Sequence, residues 1–75
     1  MKDVKQIVAE NLRAHRAIAR LSQHEVADRI NKSVASIKAW EEGSSAMSIE
    51  ALYDLANLYG VSADDLMGRV SKSVA

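Results

Sequence analysis

The stretch His24-Glu25-Val26-Ala27-Asp28 comes nearest to a catalytic pattern. Zinc proteases place two histidines four apart on one helix, with a Glu between them as general base. Here Asp28 stands at the second histidine position, and the only other histidine, His15, precedes the segment on a different predicted helix. A catalytic zinc needs three convergent protein ligands and an open position. The chain has no cysteine, so it offers neither a thiolate ligand nor a disulfide. Its serines fall at helix starts, and no glycine-rich loop is present to cradle nucleotide phosphates. No catalytic residue, metal or cofactor is therefore expected, and the chain reads as a non-enzyme. The charge pattern points elsewhere. From Arg13 to Lys38 there are six basic residues (Arg13, Arg16, Arg20, Arg29, Lys32, Lys38) against Glu25 and Asp28, a local excess of +4. That excess suits a polyanion; ordinary solvated helix faces would carry the same charges.

Elements that present such residues must fit into 75 residues. That is one domain with a small core, since chains of roughly 60 residues sit near the lower limit for folding without staples. Hydrophobic residues make up 48% and charged residues 27%, the balance of a globular chain. Net charge is zero overall. Residues 1–42 hold eight Lys/Arg and six Asp/Glu, net +2, whereas residues 43–75 hold two and four, net −2. Apolar runs are far shorter than the roughly 18 residues of a membrane span. Met1-Lys2-Asp3-Val4-Lys5-Gln6 leads into no apolar signal region, so a cytoplasmic setting is expected.

The chain has no proline and only three glycines, at positions 43, 60 and 68, so helix is the expected element. Val4, Val8, Leu12, Ile18 and Ala19 trace an apolar face over about Val4–Ala19. Ser22 and Glu25 form a capping box for a second helix with Val26, Ala27 and Ile30 inward. Asn31 tolerates the left-handed conformation that ends it. Ser33 caps a third helix, with Ile37 and Trp40 inward and Gly43 at its end. Ser44-Ser45-Ala46-Met47 reads as loop. Ser48 caps a fourth helix with Ile49, Leu52, Leu55, Ala56 and Tyr59 inward, ending at Gly60. Ser62 and Asp65 form a second capping box for a short helix carrying Leu66 and Met67. The prediction is an all-α domain of five helices over residues 1–68, with a tail at 69–75 that frays. Two short helices meeting near Asn31, with small Ala27 at their crossing, form a helix-turn-helix.

With these elements in place, the chain resembles the Cro/phage-repressor helix-turn-helix family, whose lambda-repressor-like domains have five helices. Leu12-Arg13 and Arg16 carry the likeness in the first helix, then Leu21-Ser22-Gln23, Val26-Ala27, Ser33, Ile37, Trp40-Glu41 and Gly43. In the second half Ser48, Leu52, Leu55-Ala56, Gly60-Val61-Ser62 and Leu66 carry it. The resemblance covers about Val8 to Met67. It implies that Gln23 bonds a DNA phosphate where helix N–H groups and the helix dipole favour an anion. It implies that the third helix enters the major groove, so that Lys32, Ser33, Val34, Ala35, Ser36, Lys38 and Ala39 face DNA. It also implies that Arg16 and Glu41 form an ion pair tying the first helix to the third.

Several positions depart from the family pattern. Strong readers place Gln, Arg, Asn or Lys early in the third helix, because those side chains bond base edges in pairs. Val34, Ala35 and Ala39 stand there instead, leaving Ser36 and Lys38 as polar readers. Glu42 would repel a phosphate, and Ser44-Ser45-Ala46 lacks basic residues. Arg20 replaces a common glycine; it either reaches a phosphate or lies on the surface. His15 replaces an apolar residue and is expected near Trp40, as a boundary histidine or as a pH-sensitive latch. Tyr53 and Tyr59 read as core and rim residues rather than base-stacking platforms.

The resemblance implies a small transcriptional regulator, a repressor or Cro-like protein, binding double-stranded DNA at a palindromic operator as a homodimer. The alternative is an adaptor or antitoxin-like module that uses the fold to bind a protein and reads little sequence. Leu58, Met67 and Val70 are expected to form an exposed apolar patch for pairing. Met1 suits a natural start, and the tail from Arg69 suits a lead into a further domain.

Overall fold

Each helix begins at a side chain that supplies a missing backbone acceptor. In the computed structural model, which describes residues 2–69, helix α1 spans Val4–Ala19, α2 Gln23–Ile30, α3 Val34–Glu42, α4 Ile49–Tyr59 and α5 Ala63–Leu66. The caps are Asp3, Ser22, Ser33, Ser48 and Ser62, and each accepts the N–H three residues on. Both capping boxes close: Glu25 accepts the Ser22 N–H at 2.8 Å and Asp65 the Ser62 N–H at 3.2 Å. No strand occurs among the described residues.

Helices α1 to α4 end in the same way. Arg20, Asn31, Gly43 and Gly60 turn left-handed, and the next N–H reaches back to a last-turn carbonyl. Those bonds run from Leu21 to Arg16, Lys32 to Ala27, Ser44 to Ala39 and Val61 to Ala56, at 2.9–3.2 Å. Leu21 and Val61 then pack against the core, the apolar contact that accompanies this turn. At φ 59°, Arg20 adopts a conformation that costs an L-residue about 1–2 kcal/mol, which accounts for the glycine of relatives there.

The core takes Val8, Ala9 and Leu12 from α1, Val26, Ala27 and Ile30 from α2, and Ile37 and Trp40 from α3. Ala51, Leu55 and Ala56 of α4 and Leu66 of α5 complete it. Helix α1 lies along α3, while α2 packs on both α3 and α4. Short α5 is fastened to α1 by Asn11, whose Nδ2 donates to Leu66 O at 2.9 Å and Asp65 O at 3.3 Å. A Cβ at Gly68 would meet Ile7 Cγ2 at 2.7 Å, so the chain also passes α1 closely there. Arg69, placed in the tail by the sequence, still closes α5 by donating to Asp64 O at 2.8 Å. The rest of the expected tail, Val70 included, lies outside the described residues.

Two large apolar residues face outward where their spacing predicts burial. Ile18 is 76% exposed and Ile49 86% exposed, although both were expected inward. Each stands six residues from a buried leucine (Leu12 and Leu55), which rotates it about 120° away at 3.6 residues per turn. Small Ala51, fully buried, takes the inward position assigned to Ile49, and Ala9 does likewise in α1. Ala19 is exposed at the end of α1, and Val4 is 55% exposed at the rim of the core. Tyr59, expected inward, is half-buried, while Tyr53 is 66% exposed rather than at the rim.

These faces differ in energy. Leu55→Ala should cost about 2–5 kcal/mol, the range for deleting a buried leucine side chain. Ile49→Ala should change stability by less than about 0.5 kcal/mol, as an exposed substitution does. Urea unfolding of the two variants beside the wild type checks both.

Candidate nucleic-acid interface

Helix α3 is divided lengthwise. Ile37, Trp40 and Glu41 are buried, whereas Ala35 and Lys38 are exposed beyond the exposed turn of Lys32 and Ser33. Val34, Ser36 and Ala39 lie half-buried between the two sides. Val34 packs partly on the core, so its outward reach is reduced. Ser33 Oγ accepts the Ser36 N–H at 3.1 Å and its hydroxyl donates to Ser36 Oγ at 3.0 Å. Both serine hydroxyls are thus engaged at the helix start. The Ala39 carbonyl accepts from the Ser44 N–H and hydroxyl, which ties the following loop to the end of α3. Exposed Lys32 and Lys38 supply positive charge; Glu42, also exposed, opposes it.

What holds this edge outward is Glu41, only 3% exposed. Arg16 Nε donates to its Oε2 at 2.7 Å and Arg16 Nη2 to its Oε1 at 3.0 Å, the expected ion pair in two-pronged form. The hydrogen bond to Glu41 holds the Arg16 guanidinium above its ordinary value, against the opposing effect of burial. Arg16 Nη1 also donates to Leu21 O at 3.1 Å, across the α1–α2 turn. Arg13 donates to the Glu41 backbone carbonyl. Arg13 carries part of the family likeness and of the basic excess, but nothing in the sequence assigns it this contact. Its spacing of three from Arg16 places both on one face of α1, and a cation suits the carbonyl end of α3.

Gln23 also reaches Glu41, donating from Nε2 to Oε1 at 3.0 Å. The side chain expected to face a phosphate therefore has one N–H committed within the protein. At the same helix start Glu25 holds a negative charge, kept below the usual carboxylate range by the Ser22 N–H and hydroxyl. That charge offsets part of the dipole's attraction for an anion.

His15 stacks on Tyr59, not Trp40, with ring centroids 5.9 Å apart and planes at 24°. The reason is the path of α4, whose last turn comes beside the ion pair. The Tyr59 hydroxyl is buried without a hydrogen-bond partner among the described residues. Burial pushes its pKa up to about 12, with the Glu41 charge adding to the rise and Arg16 opposing it. Met67, expected on an exposed pairing patch, is half-buried. It lines a shallow apolar groove of about 150 Å³ with Val4, Val8, Trp40, Met47 and Leu52. Leu58 is half-buried against the core, which further reduces that patch.

The two crossing helices, the buried arginine–glutamate pair and the outward edge of α3 define a helix-turn-helix protein. A helix-turn-helix family model matches residues 12–66, and the chain belongs to this family, of the Cro/repressor type. DNA-binding transcriptional regulation is the general function that this membership gives the chain. Its fold is similar to that of the clp gene regulator ClgR from Corynebacterium glutamicum in two crystal structures. One matches with a TM-score of 0.83 and 22% identity, covering 96% of this chain and 77% of that one. The other matches with a TM-score of 0.82 and 23% identity, covering 100% and 97%. No curated protein matches the chain. No helix among the described residues is long and apolar enough to cross a membrane.

The ion pair should be unequal in its parts. Arg16→Ala strands a buried carboxylate and should cost about 3–5 kcal/mol. Glu41→Ala strands a guanidinium that is one-quarter exposed, and should cost less. The double variant should lose less than the two losses added, as a double-mutant cycle in urea would report.

Tyr59 predicts a pH dependence. Its folded value, about 12, lies above the ordinary 10.0, so the folded state holds the proton more tightly. Below pH 10 the phenol is protonated in both states and the shift has no effect; as pH rises from 10 towards 12 the unfolded state loses its proton first, and stability falls. Tyr59→Phe should therefore be neutral or stabilising at pH 7, because it removes a buried hydroxyl without a partner. Between pH 10 and 12 it should lose less stability than the wild type, in urea midpoints measured along the pH series.

Proposed function

We propose that the chain is a small repressor or Cro-like regulator that places α3 in the major groove and binds a palindromic operator as a homodimer. The observation that carries this is the division of α3: Lys32, Ser33, Ala35 and Lys38 stand outward while Glu41 anchors the opposite edge. With Ala35 and Ala39 at reading positions, base contacts rely on Lys38, Ser36 and the thymine methyl group. A single helix so equipped supplies little discrimination, and pairing two half-sites about one turn of DNA apart makes up for it. Phosphate contacts are few, about three to five per protomer, each adding about −0.9 to the salt slope. Genomic selection of DNA bound by the purified protein, followed by salt titration, tests the reading. A recurrent palindrome supports it; weak binding without sequence preference contradicts it.

One observation favours a second reading, an adaptor that binds protein. On α4 the side chains of Ile49 and Tyr53 are exposed one turn apart, beside Glu50 and Asp54. Sequence-blind binding in the selection would move the assignment to that surface.

Lys38→Ala should lower affinity for the selected operator by about 1–3 kcal/mol where Lys38 meets guanine, and shift preference at that base pair. Lys32→Ala should weaken binding evenly across sequences and reduce the salt slope by about 1. Gel-shift titrations on operator and scrambled DNA at several salt concentrations distinguish these effects.

The pairing surface moves with Met67. In the regulator reading the same outer face of α4, which the adaptor reading gives to another protein, is taken by a second copy of the chain. Ile49→Asp should then lower association in sedimentation equilibrium at unchanged thermal stability. Met67→Asp should instead lower stability, because it puts a charge in the apolar groove. Wild-type association by Ile49→Asp would rule out α4 as the contact.

A further inference from the structure

We infer that Glu41 is a positioning residue for the Gln23 amide, so that the buried ion pair sets the DNA contact made at the start of α2. The inference rests on the DNA-binding reading above and names a determinant that this reading does not require. A Gln side chain is flexible, and its amide can present either end to a neighbour that both donates and accepts. Glu41 removes that choice. A carboxylate only accepts, so the NH2 end of Gln23 must face it. The bond from Gln23 Nε2 to Glu41 Oε1 is 3.0 Å, and the same oxygen accepts from Arg16 Nη2 at 3.0 Å. The other oxygen is held by Arg16 Nε at 2.7 Å, so the carboxylate cannot swing away.

This arrangement fixes the Gln23 amide before any ligand arrives. One N–H is committed to Glu41, and the second N–H and Oε1 remain for an outside partner. A side chain ordered in advance loses less freedom on binding. Arg16 has a further effect: it neutralises the carboxylate, which would otherwise repel a phosphate near Gln23. Arg13 acts on the same residue from behind by holding the Glu41 backbone carbonyl.

The test is a double-mutant cycle of Gln23→Ala and Glu41→Gln, read in two ways on the intact chain. The first reading is affinity for the DNA selected from the genome; the second is the thermal midpoint without DNA. Gln23→Ala should weaken DNA binding about tenfold, the size of one hydrogen bond to a charged group. Glu41→Gln should weaken binding severalfold when Gln23 is present and hardly at all in the Gln23→Ala background. Its effect on the midpoint should be similar in both backgrounds, apart from the one lost hydrogen bond. Should Glu41→Gln fail to fold, Arg16→Met with Glu41→Met replaces the pair by apolar side chains that a core tolerates. In that protein Gln23→Ala should weaken DNA binding clearly less than the tenfold it does in the wild type. In the free wild-type protein, one of the two Gln23 side-chain amide protons should lie downfield of its ordinary position in NMR spectra, and Glu41→Gln should remove that shift. Equal weakening by Glu41→Gln in both backgrounds would overturn the inference while leaving DNA binding intact. Full affinity of Gln23→Ala would do the same. A wild-type protein that binds no selected DNA would instead remove the reading on which the inference rests.

Discussion

The carboxylate of Glu41 is the constraint on which the rest of this small fold depends. It belongs to α3, accepts two hydrogen bonds from Arg16 of α1 and one from Gln23 of α2, and is almost fully buried. A buried pair of this kind is a weak source of net stability, because desolvation offsets most of the attraction. Its geometry is demanding, however: one orientation of α3 about its own axis satisfies all three donors. Ile37 and Trp40 bury the same side by apolar contact, which is less directional. The polar and apolar halves of the inner edge together determine that Lys32, Ala35 and Lys38 stand in solvent.

Local rules made most of the fold legible in the sequence. Ser22 with Glu25, and Ser62 with Asp65, mark helix starts because cap and partner lie three residues apart. Asn31, Gly43 and Gly60 mark helix ends because glycine, which has no Cβ, and asparagine tolerate a positive φ. Arg20 gives no such signal, although it turns left-handed as they do. The misassigned faces have one cause. Ile18 and Ile49 are apolar but lie off the inward arc of their helices, while Ala9 and Ala51 lie on it. A core of this size needs close helix approach, and alanine provides it.

The candidate site was legible to a different depth. The outward residues of α3 and the Arg16–Glu41 pair follow from resemblance, and the contacts of that pair are present. The link from Gln23 to Glu41 joins residues 18 apart on different helices, which no spacing rule could report. The same holds for His15 against Tyr59, whose meeting depends on how α4 crosses α1. Met67 enters a groove made by α1, α3, α4 and the loop at Met47, elements distant in sequence, so its local spacing does not reveal its burial.

An amide-resolved NMR titration with the selected DNA tests most directly whether the edge of α3 held out by Glu41 is the DNA surface. Signals from residues 22–24 and 32–39 should move together and saturate together, while those of α5 stay in place. Shifts concentrated on α4 at Ile49 and Tyr53, with α3 unmoved, would contradict it and show that the chain meets DNA, or its partner, by another face.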